Sequence, residues 1–292
     1  MITLQTFYNM HPAIFFLGAV LLTLCLGSFL NVVIYRLPLI IFRNYQEDYE
    51  DFQEQIKKMN LPKGKFNLSY PPSHCPHCKA PITAGSNIPV LSFIFQRGKC
   101  KHCQAPISFR YPLVEILTAF LSVLTLWVLG PSVVGCVALL FVWTMIALTF
   151  IDLDHQILPD GLTLPLLWLG LLFNLGDFFV PIQSAVLGAI LGYMSLFTVY
   201  WVFKALTGKE GMGFGDFKLL AAIGAWVGWQ QLLVVILISA LFGTVVGVSL
   251  ILSKRLERGT PMPFGPFLAL AGITSLLVGK PILHTYLKMM GF

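Results

Sequence analysis

SVVGCVALLFVWTMIALTFI at 132–151, running straight into DLDHQILPD at 152–160, reads as a membrane span that ends on acids. Its twenty residues carry no charge, and about 20 helical residues cross a bilayer's hydrocarbon core. Comparable runs lie on either side, at roughly 13–36, 113–130, 159–180, 183–205, 217–232, 233–253 and 265–287. The run at 217–232 is short and merges into the next at Trp229-Gln230-Gln231. Apolar residues make up 57% of the 292 and charged residues 11%, with a mean hydropathy of +0.79. A soluble domain has about 45–50% and about 25%. The fold class expected is therefore an all-α polytopic membrane protein of about eight transmembrane helices, with a small polar insertion between the first and second. The first run ends in RLP without a small-residue cleavage site, so no cleavable signal peptide is expected.

The basic residues orient the spans. Arg36 and the loop 38–112 hold eleven Lys and Arg: Arg36, Arg43, Lys57, Lys58, Lys63, Lys65, Lys79, Arg97, Lys99, Lys101 and Arg110. Cytoplasmic loops carry such an excess. Eight spans put 152–158, 206–216 and 254–264 on that same side, with Lys204, Lys209, Lys218, Lys254, Arg255 and Arg258 at or near their edges. Lys280 and Lys288 alone fall opposite, so 17 of the 19 basic residues agree with one topology. The net charge of +6 follows the membrane and gives no reason to invoke nucleic acid. The domains expected are a first helix at 1–37, a cytoplasmic domain at 38–112 and a seven-helix domain at 113–292. Within the insertion, 44–66 reads as a solvated charged helix, acidic at 47–54 and then basic.

The insertion also repeats itself, as CPHCKAPI at 75–82 and CKHCQAPI at 100–107. Two such knuckles present Cys75, Cys78, Cys100 and Cys103, which suit a tetrahedral Zn²⁺. Two disulfides are the alternative, disfavoured in a reducing cytoplasm. Four thiolates leave no open coordination position, so the zinc is expected to be structural. His77 and His102 then read as surface residues. A module at about 70–110 is too small to bury an adequate core, which gives a metal staple its reason. Cys25 and Cys136 sit in apolar runs and read as packing residues.

Acids beside spans are costly and point to function. After the insertion they are Glu115, Asp152, Asp154, Asp160, Asp177, Glu210, Asp216 and Glu257. Two groups share a membrane face: IDLDHQILPD at 151–160 and GMGFGDFK at 211–218. Paired aspartates hydrolyse a peptide without a metal, one taking a proton from water while the other donates to the carbonyl oxygen. Glycines at 211, 213 and 215 leave room before Asp216 for a substrate backbone or for tight helix packing. Asp160, after Pro159, reads equally as a helix-start cap. Asp154 is either a turn residue or a support for Asp152, and the residues alone do not choose between 152 and 154. Glu115 either answers the dipole of its helix or lines the site. Asp177 lies at the opposite face. His155 lacks a placed nucleophile, and neither a phosphate-binding GxxxxGK[ST] nor a zinc-protease HExxH is present.

With GSFLNVVIYRLP at 27–38 and GTPMPFGPFLA at 259–269 added to the cysteine knuckles, IDLDHQILPD and GKEGMGFGDFKLL at 208–220, the chain resembles the bacterial type IV prepilin peptidases. The resemblance runs from about residue 15 to the C-terminus and keeps the motifs in order. It implies a GxGD-type intramembrane aspartic protease, with Asp152 and Asp216 as catalytic residues and the four cysteines on structural zinc. It implies prepilin and pseudopilin substrates of type IV pili and type II secretion, cut after a Gly at the cytoplasmic face of the inner membrane. It also implies N-methylation of the new N-terminus from S-adenosylmethionine, for which no residue pattern speaks independently. Two other readings stand beside it: an ion- or proton-coupled transporter with a zinc-stabilised cytoplasmic loop, and a scaffold for pilus or secretion assembly. A transporter would place its acids deep within spans.

Overall fold

In lipid, an isolated backbone satisfies its own hydrogen bonds only as a helix, and the apolar runs fold accordingly. The computed structural model describes residues 4–45, 64–209, 211–254 and 262–289; the charged stretch at 46–63, Glu210 and Glu257 lie outside these. The chain forms two compact units, Met1–Ser132 and Val133–Phe292.

In the first unit, a short α1 (Leu4–Met10) precedes α2 (Pro12–Tyr45), and the polar insertion leads through α3 (Leu91–Phe95) into α4 (Arg110–Leu129). α2 packs along α4. Gly27 permits this, because a Cβ there would lie 2.7 Å from Glu115 Cα. Asn31 Nδ2 donates to Tyr111 O at 3.1 Å across the same seam. α2 outruns the expected end at 36 by nine residues, passing through Pro38. Arg36 is consequently inside a helix and buried. Its guanidinium donates to Asn67 O at 3.0 Å and Pro71 O at 2.7 Å, tying the insertion to the span.

The second unit holds α5 (Val133–His155), α6 (Asp160–Asn174), α7 (Ile182–Thr207), α8 (Phe214–Val227), α9 (Leu232–Leu252) and α10 (Gly265–Met289). These six, with α2 and α4, are the expected eight in the expected order. Among the described residues six helices are long and apolar enough to cross a membrane. α6 and α8, at 15 and 14 residues, are shorter than a full crossing. α6 stops at Asn174, not at the expected 180. The Asn174 side chain accepts the N–H groups of Phe179 and Val180 and donates to Ala225 O at 2.9 Å, which turns the chain out of the helix. α8 ends at Gly228, whose φ of +81° breaks it from α9. α8 is the centre of the unit, touching α6, α7 and α10. From Asp216 to Val227 every residue but Lys218 is buried. Gly188 on α7 and Gly224 on α8 meet backbone to backbone, the small-residue contact that membrane helices use to pack closely. At the far end of α8, Trp226 is fully buried and its indole N–H donates to Leu166 O at 2.8 Å.

Candidate functional site

The two cysteine knuckles repeat in bonding as they do in sequence. Cys75 N–H donates to Ala80 O at 2.9 Å and Lys79 N–H to Cys75 O at 3.0 Å; Cys100 N–H donates to Ala105 O at 2.8 Å and Gln104 N–H to Cys100 O at 3.0 Å. Lys79 and Gln104 take matching φ of 59° and 58°. The hairpins bring all four sulfurs within 4.8 Å of one another. Cys75 and Cys103 are 3.8 Å apart, Cys78 and Cys100 4.0 Å. A zinc tetrahedron with bonds of about 2.3 Å has edges of about 3.8 Å. No disulfide joins any cysteine. The Cys78 backbone N–H lowers the Cys75 thiol, and that of Cys103 lowers Cys100. The Ala105 N–H lowers Cys103 too, but partial desolvation and the neighbouring sulfurs prevail and push it up to about 11. Four thiols this close ionise together only around a cation, and the donor set fits zinc. His77 and His102 are exposed and outside the cluster.

The second constellation lies in the other unit. Asp152 is in the last turn of α5 and Asp216 in the first turn of α8. They are only 5% and 7% exposed. Gly265, the first residue of α10, donates its N–H to Asp152 Oδ2 at 3.0 Å. That N–H is one of the donors a helix start leaves without an internal partner, at its positive end. A Cβ on Gly265 would sit 2.6 Å from the same oxygen. Asp216 is placed by its surroundings. Its N–H donates to Gly213 O at 3.2 Å, and the next residue, Phe217, is fully buried among Tyr193, Tyr200 and Phe214.

Leu158 joins the two halves. A Cβ on Gly215 would lie 2.9 Å from Leu158 Cβ, and one on Gly265 3.1 Å from Leu158 Cδ2. The starts of α8 and α10 therefore close on one leucine, which follows α5 and lies six residues after its Asp152. The glycines before Asp216 divide in purpose. Gly211 and Gly215 are packed, on Phe203 and Leu158, whereas a Cβ on Gly213 would meet nothing closer than 3.9 Å. Gly213 is the open one beside the acids. Two neighbouring carboxyls with a gap next to them suit general acid–base attack of water on an amide.

The remaining acids are elsewhere or otherwise engaged. Asp160 is exposed, and the Lys218 ammonium lies 2.8 Å from both its oxygens, bridging α6 to α8. Asp154 is exposed on the last turn of α5. Asp177 sits in the turn after α6, at the end away from Asp160. Glu115 belongs to the first unit. It is buried, accepts the Val90 N–H at 2.7 Å and has the Ser28 hydroxyl beside it. Sequence reasoning missed Gly265 and Leu158. Their only signal was position, inside motifs read for other residues.

The profile of the bacterial peptidase A24 N-terminal domain matches residues 21–129, and that of the type IV leader peptidase family matches 139–248. A prepilin leader peptidase/N-methyltransferase of Aeromonas salmonicida is 52% identical over 277 residues, 95% of each chain. Proteins of that name from Pseudomonas putida and Pseudomonas aeruginosa are 47% and 48% identical. The first covers 99% of this chain and 100% of its own, the second 97% of each. No solved structure matches.

Proposed function

The chain belongs to the type IV leader peptidase family, and from that premise we propose that Asp152 and Asp216 are the pair with which it removes prepilin leaders. It is a prepilin leader peptidase and N-methyltransferase of the membrane. The observation that carries the residue assignment is the convergence around Leu158 of two buried carboxyls from distant helices, one of them held by the Gly265 N–H. The ionised carboxyl takes a proton from water, whose oxygen attacks the carbonyl carbon of the leader's last Gly. The other gives its proton to that carbonyl oxygen. The tetrahedral carbon then expels the amine, which takes the proton held by the carboxyl that had received it from water, while one hydroxyl of the tetrahedral carbon returns its proton to the other carboxylate as the carbonyl re-forms. The machinery lies wholly in Val133–Phe292, inside the seven-helix segment 113–292. The transporter reading finds no support: every described carboxylate lies within two turns of a helix end or in a turn.

The substrates we assign are prepilins and pseudopilins, each with a basic leader ahead of a long apolar helix. The membrane is the bacterial inner membrane, with the zinc module and the acid pair on the cytoplasmic side; the basic-residue distribution supports this. Zinc on Cys75, Cys78, Cys100 and Cys103 is structural. S-adenosylmethionine, when bound, supplies an activated methyl group. The described residues offer no strand-linked glycine-rich fingerprint for its adenosine, so no residue is assigned to it and the methyl transfer rests on the family.

The test is an accurate mass for the N-terminus of a processed pilin, which reads cleavage and methylation together. Asp152→Ala and Asp216→Ala should each abolish leader removal in a protein that still inserts and melts normally. Cleavage retained by either variant removes the dyad.

A further inference from the structure

The insertion carries an apolar surface for which the peptidase chemistry has no use. Ile88, Leu91, Ile94 and Phe95, on and just before α3, are exposed, Phe95 by 82%. α3 is not free to swing. Its N-cap residue, Val90, has a φ of 60° and gives its N–H to Glu115 Oε2 at 2.7 Å. Phe93, the α3 ring facing inward, meets Phe109 edge-on at 6.1 Å. At the other end Gly98 N–H bonds Phe93 O at 2.9 Å and Arg97 N–H bonds Ile94 O at 3.0 Å. That pair of bonds is the closed helix ending that follows a left-handed residue, here Arg97 with φ 52°.

The Glu115 bond sets the depth of α3. Glu115 is the sixth residue of the span α4, about 8 Å along its axis at 1.5 Å per residue. α3 therefore lies beside the start of a membrane-crossing helix, its N-cap bonded to Glu115 and its Phe93 against Phe109 just ahead of the helix, where Tyr111 and Leu113 are themselves exposed. Charge supplies the second, independent argument. Residues 64–114 hold six Lys and Arg and no Asp or Glu. A zinc tetrathiolate would carry two negative charges, and six less two still leaves the segment positive. Arg97, Lys99 and Lys101 border a cleft of about 430 Å³ whose wall also includes Ile88 and Phe95. An apolar ledge at the bilayer edge, bordered by Arg97, Lys99 and Lys101, which have no ion pair among the described residues, matches a molecule with an acidic head and apolar tails.

We propose that α3 is an interfacial anchor docked into the acidic phospholipid of the surrounding bilayer. Ile94 and Phe95 enter the acyl-chain boundary, and Arg97, Lys99 and Lys101 hold headgroup phosphates. The experiment places photoreactive benzoylphenylalanine at position 95 of the full-length protein, reconstituted in phosphatidylethanolamine with or without phosphatidylglycerol. Mass spectrometry then identifies what is attached after illumination. Lipid adducts are expected in both membranes, with phosphatidylglycerol over-represented several-fold relative to its share. The Arg97→Gln/Lys99→Gln/Lys101→Gln variant should lose that preference while keeping its zinc. The same probe at Leu113 reports lipid contact on the span. Adducts at 113 but none at 95 overturn the anchor, as does attachment of 95 to a pilin or to a second copy of the chain. Adducts at 95 without headgroup preference overturn the phosphate contacts.

Discussion

Gly265 acts through the side chain it lacks. Its N–H reaches the Asp152 carboxylate at 3.0 Å only because no Cβ intrudes at 2.6 Å. Gly265→Ala is expected to push that carboxylate out of line while leaving the helices paired. Misplacing a reacting group by about 1 Å can cost about 100-fold, so kcat for leader removal should fall on that order with little change in melting temperature. Gly213 and Gly215 should part company in the same assay. Gly215→Ala drives a methyl into Leu158 and should lower both stability and cleavage. Gly213→Ala meets open space and should leave the melting temperature alone, raising KM if the substrate backbone passes there. Asp160→Asn removes a half-exposed ion pair with Lys218, a contact of about 0–1 kcal/mol. It should melt within a few degrees of the parent and still cut, which separates Asp160 from the proposed pair.

Among the elements, α8 has the least tolerance. It is apolar on nearly every face and buried on nearly every face, as such a helix must be. Its glycine seam with α7 leaves no room, so Gly188→Leu should separate the two helices and destabilise the unit by more than the roughly 1–3 kcal/mol of an overpacked core. Loss of folded protein in a detergent melting assay checks it. The cysteine knuckles call for the opposite experiment. Cys75→Ser or Cys100→Ser should release zinc and open 64–109 to protease, while the acid pair, in the other unit, keeps its geometry. Element order was legible because charge-free runs of about twenty residues have one solution in lipid. Element ends were not. They depend on single polar groups finding distant partners, as Asn174 finds Ala225. Local sequence does not show those partners. α3 was invisible for a related reason: five residues have no period to read, and a bond to Glu115 defines it.

For the whole molecule, the proposed pair of carboxyls, which must differ in protonation, gives activity a single optimum in pH. Below it both are protonated and no base remains; above it both are ionised and no acid remains. A bell-shaped kcat/KM profile is expected, and a monotonic one argues against a shared task. The acids themselves were legible from their place at the ends of apolar runs, but their convergence was not. It needs Leu158 and the start of α10, which lies about a hundred residues beyond Asp152 in the chain. One last consequence comes from the lengths of α6 and α8. At 15 and 14 residues they span about 21–22 Å, against a hydrocarbon slab of about 30 Å. α8 is enclosed by its neighbours, so it is the lipid against the exposed Leu164, Trp168 and Leu172 of α6 that must thin or let water dip inward, and the hydrolytic water has a shallower barrier to cross. Acyl-chain length then becomes a control on turnover: proteoliposomes of long-chain phospholipid should process pilins more slowly than short-chain ones at equal pH and protein density.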